Sequence, residues 1–112
     1  MKLIRAIIQP HRLEEVRTAL LENGVTGMTV SNVEGFGRQK GHKEMYRGAE
    51  YQVYFVPKVM IDLITTDART DEICKILMDA ARSGKIGDGK VIIMDIGKAY
   101  RIRTGEADDD AI

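Results

Sequence analysis

The chain has 112 residues, 30% of them charged and 44% apolar, which fits one soluble globular domain long enough to bury a core. Lys plus Arg and Asp plus Glu number 17 each, so no net field draws the chain to nucleic acid or to a membrane surface. No apolar run approaches the ~20 residues of a membrane span, the N-terminus lacks a signal-peptide core, and the single Cys74 cannot form an internal disulfide, all as expected of a cytoplasmic protein.

Residues 2–9 (KLIRAIIQ) read as a first strand, with Leu3 and Ile7 on one face and Ile4, Ala6 and Ile8 on the other. Pro10 ends it. Leu13, Val16 and Leu20 then recur at helical spacing, and Gly24 is placed to terminate that helix. Residues 28–36 form a second strand that runs into a long polar segment. A third strand over residues 59–65 (VMIDLIT) alternates, with Val59, Ile61 and Leu63 on one side. Ile73, Ile76, Leu77 and Ala80 make the apolar stripe of a second helix, with Asp67 or Thr70 as its candidate cap and Cys74 as a buried thiol. Residues 90–96 (KVIIMDI) are the fourth strand, and a tail ending in Asp108, Asp109 and Asp110 follows as solvated chain.

The order βαββαβ is the α+β, ferredoxin-like plan. Two helices cover only one face of a four-stranded sheet, yet strands one and four are apolar on both faces. Val91 and Ile93 lie on one side, and Ile92, Met94 and Ile96 on the other. An uncovered apolar face of this kind marks an interface, and the pattern predicts a homo-oligomer.

Three clusters of glycine and basic residues stand at element ends. Residues 83–90, SGKIGDGK, fit the first seven positions of a phosphate-binding P-loop from Gly84 onward. Val91 stands where that motif needs Ser or Thr, and the segment runs from helix to strand instead of strand to helix. Two readings stay open, a helix terminus with a turn, or a cradle in which amides and Lys85 or Lys90 hold an anion by another geometry. After the last strand, an extended Tyr100-Arg101-Ile102-Arg103 would set both guanidiniums on one side, suited to phosphate. Residues 35–58 supply the third cluster, Arg38, Gln39 and Lys40 beside Gly35, Gly37 and Gly41, with Tyr46 and Tyr51, five positions apart, beyond it. A connection of that length in so small a domain is a lid, a binding loop or a disordered segment. His11 and His42 have no partners at zinc-ligand spacing, and no nucleophile-base arrangement stands out.

Together these motifs resemble the PII nitrogen-regulatory signal-transduction proteins over essentially the whole chain. Tyr46-Arg-Gly-Ala-Glu-Tyr51 is similar to the family's uridylylation motif, and Gly35-Phe-Gly-Arg-Gln-Lys-Gly41 to the base of its T-loop. Residues 83–91 resemble its B-loop, and Arg101-Ile-Arg-Thr-Gly-Glu106 its C-loop. The resemblance implies a single domain over residues 1–112, with T-, B- and C-loops at about 37–55, 82–90 and 98–108. It implies a homotrimer with three clefts that bind ATP or ADP competitively. Gly35, Gly37, Arg38, Gln39, Gly87, Asp88, Gly89 and Lys90 would meet the nucleotide, with Arg101 and Arg103 from an adjoining chain. Ile7, Thr29, Asp62 and Ile64 would line its adenine and ribose side. Mg²⁺ would join 2-oxoglutarate to the ATP phosphates through Gln39, with Lys40, Gly41, Lys58 and Gly87 completing the keto-acid site. Tyr51 would be the residue that receives UMP, and Arg47 the contact to a partner.

By the same resemblance, the partners are an ammonium transporter of the Amt family, a uridylyltransferase and nitrogen-assimilation enzymes. The protein would then be cytoplasmic, and peripherally membrane-associated when bound to a transporter. The departures are Ile92 for a usual aromatic residue, Met60 for a common lysine, Asp62 for a glutamate and Ser83 for a threonine. The resemblance implies a non-enzymatic sensor, since the sequence shows no dedicated general base for a cleft holding Mg-ATP; the alternatives are a slow ATPase and a nitrogenase-control paralogue without uridylylation. A ferredoxin-like RNA-binding domain needs exposed aromatics on its central strands. Two phenylalanines, four tyrosines and no tryptophan, mostly in or near the loop, do not supply them.

Overall fold

The computed structural model describes residues 1–36 and 55–112. Its elements are β1 (Lys2–Ile8), α1 (Leu13–Glu22), β2 (Thr29–Gly35), β3 (Val56–Thr65), α2 (Thr70–Ala81) and β4 (Gly89–Asp95), the expected βαββαβ order. Short 3-10 turns at Pro10–Arg12 and Asp67–Arg69 lead into the two helices, and a third lies at Asp108–Ala111. The strands form one antiparallel sheet in the order β2-β3-β1-β4, a ferredoxin-like fold.

Period-two alternation decides which side of the sheet is core. Ile4, Ala6 and Ile8 of β1 and Val59, Ile61 and Leu63 of β3 are buried with Val16 and Leu20 of α1 and Ile73, Cys74 and Leu77 of α2 in a single cluster. Each large aliphatic side chain removed from water there contributes roughly 1.5–3 kcal/mol. The opposite face carries Leu3, Ile7, Met60, Ile64, Ile92 and Met94 by register, and Ile64 and Ile92 keep 40% and 37% of their surface exposed in the single chain.

The helix ends follow from named residues. Gly24 takes φ +85°, its amide donates to Leu21 and the amide of Val25 donates to Leu20, both main-chain carbonyls. This is a Schellman ending, with Leu20 and Val25 both buried in the same apolar cluster. The start of α2 differs from expectation, because neither Asp67 nor Thr70 caps it. The chain enters through the 3-10 turn, so Thr70 is already the first helical residue and its hydroxyl donates back to the Thr66 carbonyl at 3.0 Å.

β3 also begins three residues earlier than its alternation suggested. Val56, Pro57 and Lys58 pair with Gly35, Glu34 and Val33, while β1 joins β3 only from Val59 onward. Pro57 therefore sits where one side of the strand has no ladder partner, the position that tolerates a missing amide.

Candidate functional site

β3 and the glycine loop before β4 meet at Lys58. Its side chain is carried into the interior at the start of β3, with only 8% of the residue exposed, and its Nζ donates to the Gly87 carbonyl at 2.6 Å. Burial pushes the ammonium below the ordinary lysine range, and nearby Asp88 offsets part of that shift. Among the described residues that one neutral acceptor is modest compensation for a nearly buried cation. An anion brought to this point would meet a charge already desolvated.

The loop itself is built on Asp88. Its carboxylate accepts the amides of Ser83 and Gly84 at 2.8 Å each and the Ser83 hydroxyl, and these bonds hold its pKa below the usual aspartate value. The Ser83 hydroxyl accepts the Lys85 amide at 3.2 Å. The cradle reading for residues 83–90 is thereby narrowed, since the amides of 83, 84 and 85 are engaged within the loop. Gly87 and Gly89 take φ of +102° and +103°. A Cβ on Gly89 would lie 1.7 Å from the carbonyl oxygen of Ile7, its diagonal neighbour on β1, so only glycine lets the backbones approach this closely. Ile7, Asp88, Gly89 and Lys90 border one small hollow of about 200 Å³.

A second, larger cleft of about 860 Å³ opens beside β3 and gathers Thr29, Asp62, Ile64 and Arg101. Thr29 and Asp62 are cross-strand partners. Asp62 is gripped by Arg5, its partner on β1, through Nε to Oδ1 at 2.8 Å and Nη2 to Oδ2 at 2.9 Å. Hydrogen bonding from Arg5 lowers the Asp62 pKa against the opposing effect of burial. Arg5 was not among the residues singled out from the sequence. A lone arginine in an apolar strand becomes informative only once register places it opposite a carboxylate.

Arg101 and Arg103 do not lie on an extended backbone. The Arg101 amide donates to the Glu106 carbonyl and the Gly105 amide to the Arg101 carbonyl, both at 2.8 Å, so residues 102–104 form a turn. The physical reason is Gly105, whose φ of +76° closes the reversal. Arg101 reaches the Ile112 main-chain oxygen at 3.1 Å and Glu106 at 3.5 Å. The acidic tail is likewise more than solvated chain. Asp108, at φ +57°, accepts the Ala99 amide at 3.2 Å and its own amide donates to the Ala99 carbonyl at 2.7 Å.

Arg12 is a second residue that sequence reasoning passed over. It donates to the carbonyls of Ala80 at 2.9 Å and Arg82 at 3.2 Å, tying the end of α2 to the turn before α1. At the far end, Gly35 closes β2 and the rings of Phe36 and Phe55 meet edge to face at 5.4 Å. The expected roles of Gly37, Arg38, Gln39, Lys40, Gly41, Arg47 and Tyr51 fall outside the described residues.

The family model described as "Nitrogen regulatory protein P-II" matches residues 1–106. The nitrogen regulatory protein P-II of Pasteurella multocida (strain Pm70) is 54% identical, and that of Klebsiella oxytoca 56%, each over 112 residues and the full length of both chains. The nitrogen regulatory protein P-II 1 of Escherichia coli (strain K12) is 55% identical over the same span. Among solved structures, Arabidopsis thaliana PII bound to citrate superposes with a TM-score of 0.82 at 32% identity, covering 99% of this chain and 91% of that one.

Proposed function

The chain belongs to the P-II family of nitrogen regulatory proteins, and from that premise we propose that it senses energy and carbon status by binding ATP or ADP competitively and, with Mg-ATP, 2-oxoglutarate. The observation that carries this reading is the Lys58–Gly87 contact. A desolvated ammonium that donates, among the described residues, to the Gly87 carbonyl is matched to a carboxylate, which replaces a neutral acceptor by a charged one. The Arabidopsis thaliana relative is bound to citrate, itself a polycarboxylate. Gly87, Gly89 and Lys90 fit the phosphate side of a nucleotide, and Thr29, Asp62 and Ile64 its ribose and base side. Mg²⁺, when bound, supplies a centre that chelates the keto acid and neutralises the phosphates, with Gln39 as the chain's ligand.

Within one chain the candidate residues border two separate hollows, one with Ile7, Asp88, Gly89 and Lys90 and one with Thr29, Asp62, Ile64 and Arg101. This division supports a site completed between copies in a homotrimer, the hollow of one chain with Ile7, Asp88, Gly89 and Lys90 facing the cleft of an adjoining chain that carries Thr29, Asp62, Ile64 and Arg101, with Arg103 from that same adjoining chain. The output is regulation and not turnover. Ligand state would bias the T-loop, with Arg47 entering an ammonium transporter's cytoplasmic exit and Tyr51 receiving UMP where a uridylyltransferase is present.

Titration calorimetry tests the reading. We expect 2-oxoglutarate to bind with Mg-ATP and not with ADP, because each of the two ligands completes the other's coordination. Keto-acid binding that ignores ATP would overturn it, and sustained ATP hydrolysis would replace it with an enzymatic reading.

A further inference from the structure

On the open face of the sheet, one row runs across three strands: Arg5 on β1, Asp62 on β3 and Thr29 on β2, each opposite the next in register. Asp62 and Thr29 line the large cleft. An ionised carboxylate offers about four lone-pair directions, and the Arg5 fork takes one on each oxygen. Among the described residues Arg5 is the side chain that donates to Asp62, which leaves a direction on each oxygen for a donor in the cleft that Thr29 also lines. A forked, planar partner also fixes the carboxylate plane, which a single point contact does not.

We propose that Arg5 is a positioning residue for nucleotide recognition, holding Asp62 so that its remaining lone pairs receive ribose hydroxyls, and that the pair makes the site discriminate ribonucleotides from deoxynucleotides. This rests on the nucleotide-binding reading above and deepens it. The ligand chemistry is a hydroxyl donor pair on a sugar, which only a carboxylate kept charged and correctly turned accepts well. The depressed Asp62 pKa agrees with the arrangement, since the fork keeps the group ionised despite its partial burial. A rigid arginine fork is the kind of support that makes a short side chain accurate.

The experiment compares ADP, 2′-deoxy-ADP and 3′-deoxy-ADP by calorimetry on wild type, Arg5→Met, Arg5→Lys and Asp62→Asn, with thermal unfolding of each variant as the folding control. Wild type should prefer ADP over at least one deoxy analogue by on the order of 10-fold, the scale of a hydrogen bond to a charged group. Arg5→Met should weaken ADP and leave the analogues nearly unchanged, so that the preference shrinks below about 3-fold on the same scale. Arg5→Lys, with the charge kept and the fork lost, should retain part of it, and Asp62→Asn should lose it as fully as Arg5→Met. Equal weakening of all three nucleotides would mean a structural role and overturn the proposal, as would an unchanged preference. A wild type that binds ADP without discriminating overturns this inference and spares the proposed function. A wild type that binds no ADP overturns both.

Discussion

Gly89 shows how one residue can serve fold and site together. It opens β4, and its missing side chain lets the backbone lie against the Ile7 carbonyl. Gly89→Ala adds a 1.7 Å clash to a φ of +103°, so β1 and β4 must separate at that end. A loss of about 3 kcal/mol or more is expected, read as a lower midpoint in denaturant, together with weaker ADP binding. Lys58→Met should behave oppositely in stability. The folded-state pKa of Lys58 is depressed by burial, so its charge opposes folding at pH 7, fully so below the folded value and not at all above the unfolded one. The variant should match or exceed wild type in denaturant midpoint while losing the 2-oxoglutarate response, and a clear loss of stability would contradict this. Asp62 carries the reverse sign. Its folded pKa is lowered by hydrogen bonding from Arg5 against the opposing effect of burial, so its contribution is present above the unfolded value and is lost as pH falls through the folded one. Arg5→Met should flatten that part of the acid limb.

At the level of elements, the core was readable wherever one periodicity ran uninterrupted. Ile73 and Leu77 fall one helical turn apart, and both are almost wholly buried against the sheet. Leu77→Ala should therefore cost about 2–5 kcal/mol, measured by chemical denaturation, with the spread set by how far the site collapses. The ends of elements were less legible, because they depend on partners rather than on pattern. Pro57 and Lys58 break the alternation of β3, and only pairing with β2 keeps them in the strand. Arg101 and Arg103 look extended in a short window, until Gly105 turns the chain and Glu106 accepts the Arg101 amide. The same holds for the candidate site. Lys58 and Gly87 are 29 positions apart, yet a family resemblance paired them and the fold brings them to 2.6 Å. Arg5 carried no such signal, since its meaning lies in a register that joins it to a carboxylate 57 residues away.

For the whole molecule, the decisive feature is a sheet with, among the described residues, two helices on one face and none on the other. Leu3, Ile7, Met60, Ile64, Ile92 and Met94 share the open side, interrupted by the Arg5–Asp62 pair. Burial of such a face gains roughly 25 cal/mol per Å² before the cost of association, which favours self-assembly at modest concentration. Ile92 is the most direct probe. It lies on edge strand β4, it is 37% exposed in the single chain, and it stands outside the buried cluster, so a charge there does not disturb the core. Ile92→Lys should leave far-UV circular dichroism and the fold unchanged while shifting light scattering from a trimer to smaller species, because an ammonium would have to be desolvated at the interface beside a like charge, its register partner Arg5. ADP binding should weaken in parallel, since the proposed site draws Arg101 and Arg103 from another copy. A variant that is monomeric yet binds ADP as wild type does would place the whole site within one chain. A wild type that remains monomeric at micromolar concentration would remove the trimer, and with it the reason for the open face.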